Sequence, residues 1–301
     1  MEQINIDHIH QQYKHGVTRT KWLVFLTQLL ILFVFLGTWE LAAFFKWIDV
    51  LLFSSPSRIW SLFIEKMADM SLLMHTSVTV LETIIGFLLG TLLGTLLAIM
   101  IWWSPFLSRV LEPYLIIANS MPKVALGPLF IVGLGPGVIS IIATTLSVSI
   151  IITAITIYSG FREVNPNYLK VMQTFGASKS QMFAKVIFPA TMPTIISSLK
   201  VNVGLSWIGV VVGEFLVAQK GLGYLIIYGF QVFNFSLVMV SLFVIALVAA
   251  LMYQGVSYLE KRLTSQFKEI AMPKSCSYSG RLFPFSHLKK LQCTLLIFTN
   301  L

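Results

Sequence analysis

Long uninterrupted apolar stretches dominate the pattern of this chain. The first runs from Trp22 to Phe45, broken only by Gln28, Glu40 and small polar residues. A helix rising 1.5 Å per residue over these 24 residues is ~36 Å long, enough to cross a ~30 Å hydrocarbon core with tilt. It is too long for a signal-peptide core and no A-x-A site follows it, so it is expected to be a retained helix. Five further runs have the same character: Val78–Trp102, Ala118–Leu134, Val138–Tyr158, Ile195–Val217 and Phe235–Tyr258. Pro122, Lys123, Gly127 and Pro128 interrupt the third. Such breaks survive in a membrane only where protein shields the backbone or a wet cavity lies beside it. The pattern predicts an all-α polytopic membrane protein with six transmembrane helices.

Composition strengthens that reading. Only 11% of the 301 residues are charged and 56% are hydrophobic, whereas a soluble domain carries about 25% charged residues. So few charges cannot cover so much apolar surface in water, which excludes a soluble enzyme, a nucleic-acid binder and a disordered chain. The net charge of +9 reads first as topology. With the N-terminus inside, 16 Lys/Arg fall in inside segments and four (Lys46, Arg58, Lys66, Lys220) outside, with Lys123 within the third span. The bias predicts both termini on the cytoplasmic side. The anionic inner leaflet holds these charges, so the bilayer is the implied partner and nucleic acid is not. The expected division is a cytoplasmic N-terminal tail (1–21), a transmembrane domain (22–263) with a cytoplasmic loop at 160–193, and a C-terminal tail (264–301). Cys276 and Cys293 lack zinc or disulfide spacing, and five His without an HExxH pattern suggest no metal site. No cofactor is expected.

Within the spans, Gly86, Gly90 and Gly94 recur every four residues with Ala98 in register, a smooth stripe where another backbone can approach closely. Gly204, Gly209 and Gly213 repeat this more loosely. The fourth span carries Thr144, Thr145, Ser147, Ser149, Thr153 and Thr156. Their hydroxyls either bond back to helix carbonyls or line a polar path. Glu40, Glu82 and Glu214 are ionisable groups inside spans and are candidates for facing the bundle interior or a translocation path. Glu40 and Glu214 are expected near the outer interface.

The most patterned polar stretch is FREVNPNYLKVMQTFGASKSQMFAKVIFPATMP, between the fourth and fifth spans. Asn165 followed by Pro166 reads as a helix start, and Gly176 as the left-handed residue that ends it. Ser178 and Gln181 form a capping box for a second helix. Met182, Phe183, Val186 and Ile187 give that helix an apolar face, and Pro189 is expected to close it. The result is a helix, a glycine elbow and a second short amphipathic helix. Its apolar face either packs on the bundle's own helix ends or docks a cytoplasmic partner.

This stretch resembles the coupling loop, or EAA loop, of permease subunits of binding-protein-dependent ABC importers. That family's pattern is Glu-Ala-Ala, three residues, Gly, nine residues, then Ile-x-Leu-Pro. Lys170-Val171-Met172 stands in the first place, Gly176 is in register, and Val186-Ile187-Phe188-Pro189 fills the last. Glycine, proline and spacing match, and the acidic residue does not, so a salt bridge from that position is not implied. The resemblance runs from about Ser54 to Leu263. SSPSRIW (Ser54–Trp60), NSMPKVALGPLFIVGLG (Asn119–Gly135) and SWIGVVVGEFLVAQKGLGYLI (Ser206–Ile226) are similar to the nitrate/sulfonate/taurine branch, which includes permeases for pyrimidine precursors of thiamine. Glu82 stands where many sulfonate-type members carry Arg and looks closer to the pyrimidine-precursor members.

The resemblance implies a type I ABC importer-like permease with a cytoplasmic coupling helix pair and no catalytic residue of its own. Lys170, Val171, Met172, Gly176, Ala177, Ser178 and Pro189 would be the ATPase-coupling positions. Two copies of a separate ATP-binding subunit would supply the energy; nothing in this chain matches GxxxxGK[ST]. A second copy of this chain would complete the pathway, and an extracellular or periplasmic solute-binding protein would deliver the solute. A self-sufficient channel or secondary carrier, and a membrane scaffold that merely recruits a partner, are the rival classes. After Leu263 the family pattern fades, and Met272–Leu301 changes composition. A frameshifted end and an interfacial appendage are the two expectations for that tail.

Overall fold

The computed structural model describes residues 6–271, with side chains at Thr20 and from Trp22 to Leu263. The expectations for residues 1–5 and for Met272–Leu301, with Cys276 and Cys293, lie outside the described residues. The described chain is helical and contains no strand. In order, the helices are α1 (Ile6–Phe44), α2 (Val50–Phe53), α3 (Pro56–Ala68), α4 (Ser71–Trp103), α5 (Pro105–Ser120), α6 (Gly127–Leu134), α7 (Val138–Glu163), α8 (Pro166–Thr174), α9 (Lys179–Met182), α10 (Phe188–Val217), α11 (Leu222–Gln231) and α12 (Phe235–Ala271). A 3₁₀ turn (Lys123–Leu126) precedes α6, and a π turn (Phe183–Ile187) joins α9 to α10.

Five stretches are long and apolar enough to cross a membrane: Trp22–Phe44, Ser71–Trp103, Val138–Glu163, Lys179–Val217 and Phe235–Leu263. The expected third span is not one straight helix. Pro105–Ser120 and Lys123–Leu134 meet at an angle of 92° and make a sixth span only as a broken pair. Pro122 lacks an amide hydrogen and disfavours helix in the residue before it, so the break falls at Met121–Pro122. The helix before the break starts earlier than its apolar pattern, because Ser104 caps it (Leu107 N–H to Ser104 Oγ, 3.2 Å) and Pro105 takes its first turn.

The chain forms two compact units. The first comprises the chain up to Thr76 with Leu225–Val244. In it the SSPS segment works residue by residue. Ser54 Oγ lies 2.8 Å from Ser236 Oγ, Ser55 caps α3, and Ser57 donates from both N–H and Oγ to the Glu40 carboxylate at 3.1 and 2.8 Å. Glu40 is thereby held by α3. The second unit comprises Ser77–Tyr224 and the chain from Ile245. There α7 is the central helix, with α4 and α10 laid against it.

Glycine makes that packing possible. A Cβ at Gly86 would stand 2.6 Å from Thr145 Cγ2, and one at Gly94 2.6 Å from Thr153 Cβ; at Gly90 it would overlap Ser149. The stripe on α4 therefore rides on the hydroxyl row of α7. On α10, a Cβ at Gly209 or Gly213 would come within 2.5 Å of the Thr145 Cα or 3.0 Å of the Ile141 Cα. Backbones approach this closely only where side chains are absent.

Candidate functional site

Asn165 Oδ1 accepts the amide of Asn167 at 2.9 Å and opens α8 with Pro166 in its first turn. The helix ends in a complete Schellman motif: Gly176 N–H donates to Gln173 O at 2.9 Å and Ala177 N–H to Met172 O at 3.0 Å. Gly176 has φ 71°, the left-handed conformation that glycine adopts without strain. Immediately beyond, Ser178 Oγ accepts from Gln181 N–H at 3.3 Å and Ser178 N–H donates to Gln181 Oε1 at 2.8 Å, a capping box for α9. Both halves of the elbow are thus closed by short-range hydrogen bonds.

The second helix departs from expectation. Pro189 does not close it: α9, the π turn and α10 run on as one stretch, Lys179–Val217, into the fifth span. Pro189 has no N–H to offer the carbonyl of Lys185, and the widened turn just before it absorbs the mismatch, with Phe188 N–H donating to Phe183 O five residues back. The elbow is consequently continuous with a span, with no loop between them.

The apolar face of this stretch packs on the bundle's own helix ends. Phe183 lies 4.9 Å from the Trp102 ring centroid, 5.6 Å from Phe161 and 6.0 Å from Phe188. Ile187 is fully buried with Ala98, Ile157 and Phe161. Lys179 Nζ donates to the Trp103 carbonyl and sits 5.3 Å from the Trp102 ring centroid. The first helix is different. Lys170, Val171 and Tyr168 are exposed, Met172 and Ala177 are half-buried, and Phe175 at the elbow is 79% exposed. Phe175 escaped the sequence reading, although a large apolar residue beside a helix-ending glycine was its signal. Ser178 and Pro189 are also exposed.

Thr144, Thr145 and Ser149 are buried, and their hydroxyls donate to the carbonyls of Ser140, Ile141 and Thr145 at 2.8, 2.9 and 3.0 Å. Of the two accounts for this row, back-bonding describes the geometry. A polar connection that the sequence reading missed crosses the same region. Asn202 on α10 accepts from Thr153 Oγ1 at 2.8 Å through Oδ1 and donates to Thr91 Oγ1 at 3.0 Å through Nδ2, tying α7, α10 and α4 together. Its only sequence signal was an amide inside an apolar run. Glu82 and Glu214 are buried and come together beside the turn between α10 and α11. Lys123, at the break of the bent span, donates to Asn119 O at 2.8 Å.

Six apolar spans counted with the bent pair, and an elbow continuous with one of them, define a polytopic helical membrane protein. Residues 90–265 match the family model described as binding-protein-dependent transport system inner membrane component. A probable ABC transporter permease protein of Haemophilus influenzae is 32% identical over 239 residues, covering 79% of this chain and 96% of that one. The formylaminopyrimidine transport permease protein ThiX of Halalkalibacterium halodurans is 29% identical over 189 residues, 63% of this chain and 76% of that one. The taurine transport system permease protein TauC of Escherichia coli is 25% identical over 242 residues, 79% and 88% of the two chains. Among solved structures, a bacterial ABC transporter involved in the import of the acidic polysaccharide alginate matches with TM-score 0.58 at 16% identity, over 84% of this chain and 99% of that one. The chain belongs to the binding-protein-dependent transport system inner membrane component family: it is a multi-pass membrane protein and a permease subunit of an ABC importer.

Proposed function

We propose that two copies of this chain form the pathway of an ATP-driven importer in which the elbow around Gly176 receives the stroke of a separate ATPase subunit. The observation that carries this reading is the exposed Phe175 on an elbow braced by two caps and continuous with α10. A rigid arm joined to a span transmits displacement, whereas a slack loop dissipates it. Exposed Tyr168, Val171 and Phe175 present an apolar edge suited to a cleft on a partner. Lys170, Val171, Met172, Gly176, Ala177 and Ser178 would form the docking and bending segment, and Pro189 with its π turn would carry the motion into the span. ATP would be hydrolysed only in the partner, present in two copies. Both termini would lie in the cytoplasm with the elbow, as the 16-to-4 distribution of Lys and Arg supports.

The cargo would be a small solute of the kind named for its relatives: a sulfonate, taurine, nitrate or a formylaminopyrimidine. A solute-binding protein outside the membrane would select it. Glu82 would not read the solute, because it is buried in the interior. The test of coupling is a photo-crosslinking residue at position 175 in the assembled transporter. Capture of the ATPase subunit is expected; capture only of lipid, or of this chain itself, overturns the docking role. The cargo is tested by thermal shift of the partner binding protein against the four solute types, with stabilisation by one of them expected and by none of them contrary to the reading.

A further inference from the structure

Lys123, which the proposed coupling leaves unused, stands at the break of the bent span. Its depth can be read from the packing of α6 on α7. A Cβ at Gly127, the first residue of α6, would lie 3.9 Å from Thr144 Oγ1. Three residues on, the Phe130 carbonyl accepts from Ser140 Oγ at 3.1 Å, and the same hydroxyl donates to Gly135 O. α6 therefore runs antiparallel to α7, and the 3₁₀ turn before it continues along α7. In that register Lys123 falls near the level of Ser147. At 1.5 Å per residue, Ser147 is roughly 14 Å from the start of α7 at Val138 and ~24 Å from its end at Glu163. Lys123 is thus well inside a ~30 Å hydrocarbon core.

The residue is half-buried, and its ammonium turns back to donate to the Asn119 carbonyl at 2.8 Å, with Asn119 Oδ1 3.5 Å away. None of the ion pairs among the described residues involves Lys123. Glu112, earlier on the same broken span, is paired with Arg162. Glu214 on α10 lies nearly two turns of α7 away, since its neighbour Gly213 packs at Ile141, and its Oε2 accepts from Gly223 N–H. On the side of the turn away from α7, Met121, Pro122, Val124 and Ala125 are exposed.

An uncharged donor would cap that carbonyl as well, without the cost of holding an ammonium away from bulk water. Irregular backbone and an ionisable side chain at membrane depth are tolerated only against protein or a water-filled cavity. α7 covers one side of the turn, and the open side is where the water of the pathway would stand. An unbalanced ammonium in a wet cleft with low-dielectric walls draws anions to itself. Lipid phosphates stay at the headgroup level, so the anion that meets Lys123 is a solute in transit. We propose that Lys123 forms a wet anion site at mid-depth, where an oxyanion or sulfonate group of the cargo is held in passage. The proposal rests on the pathway reading given above and narrows its cargo to solutes that bear an anionic group.

The first measurement uses the full chain in lipid nanodiscs, with Cys276→Ser and Cys293→Ser to clear the background and Ser120→Cys as the reporter. Ser120 is exposed and adjoins Asn119, on which the ammonium rests. Two methanethiosulfonate reagents, one ending in a sulfonate and one in a trimethylammonium, attack the same thiolate, so their rate ratio reads the local potential. The ratio should favour the sulfonate reagent about tenfold more than it does after Lys123→Gln, and Lys123→Arg should keep the preference. Gln retains a donor for the Asn119 carbonyl, so the comparison reads charge and not capping. The second measurement uses the assembled transporter. ATP-driven import of nitrate or ethanesulfonate should fall about tenfold in Lys123→Gln and return in Lys123→Arg, with ATP hydrolysis retained. A thiol that neither reagent reaches, a rate ratio indifferent to Lys123→Gln, or anion import unchanged by it would each overturn the proposal. An anion-favouring ratio in an assembly that imports nothing against a gradient would uphold the site and refute instead the transport reading on which it rests.

Discussion

Replacing Gly176 isolates the elbow from everything around it. A Cβ at this position meets nothing within 4 Å, so the substitution introduces no clash and acts only through the backbone. At φ 71° a residue with a Cβ pays about 1–2 kcal/mol, and a β-branched one more. That range lowers the population of the native elbow by roughly 5–30-fold. The bonds at risk are Gly176 N–H to Gln173 O and Ala177 N–H to Met172 O. Gly176→Asn should be close to neutral because Asn tolerates the left-handed region, Gly176→Ala intermediate, and Gly176→Val the most damaging. The assay is ATP-dependent solute uptake by vesicles containing the assembled transporter, alongside hydrogen exchange at the Ala177 amide and a measure of membrane insertion. Uptake and protection should fall together in the order Asn, Ala, Val, with insertion unchanged. Wild-type uptake in the Val variant would refute the elbow's role in transmission. Equal damage from Asn and Val would refute the backbone argument.

Other consequences follow from the packing. Gly86→Ala places a methyl 2.6 Å from Thr145 Cγ2 and should cost about 1–3 kcal/mol; adding Thr145→Ser removes that methyl and should recover most of the lost thermal stability in detergent. Asn202→Ala breaks the Thr153–Asn202–Thr91 connection and should cost about 1–2 kcal/mol, read as earlier thermal unfolding. Asp69, in the turn between α3 and α4, has its pKa lowered from 3.8 to about 2, first by the hydrogen bonds from Ser71 and then by Lys66. Because the folded value is depressed, its contribution is complete above 3.8 and is lost as pH falls through about 2. Protection of the Ser71 amide should therefore be constant from neutral pH down to mild acid and fall only at the acid extreme.

What the sequence made legible is what depends on neighbours in the chain. Asn165–Pro166, Gly176 and the Ser178/Gln181 pair each act within a few residues, so the elbow could be read directly. Long apolar runs announced the spans, and Pro122 with Gly127 marked the damaged one, though not its 92° bend. Pro189 misled because a local rule for ending helices competes with the burial of Phe183 and Ile187, and a π turn lets the helix continue past it. Long-range pairings left no local trace. Nothing in the sequence around Glu82 signals Glu214, and nothing around Thr91 signals Asn202. The glycine stripe was visible, but its partner, the Thr145–Ser149–Thr153 row, emerged only once α4 was seen lying on α7.

The central claim is that this bundle does not power itself. Purified chain in proteoliposomes, with the binding protein, cargo and ATP supplied on their proper sides, should accumulate nothing against a gradient until the ATPase subunit is added, and should then do so at a rate that Gly176→Val depresses. Uphill accumulation by the chain without the ATPase subunit would contradict the account.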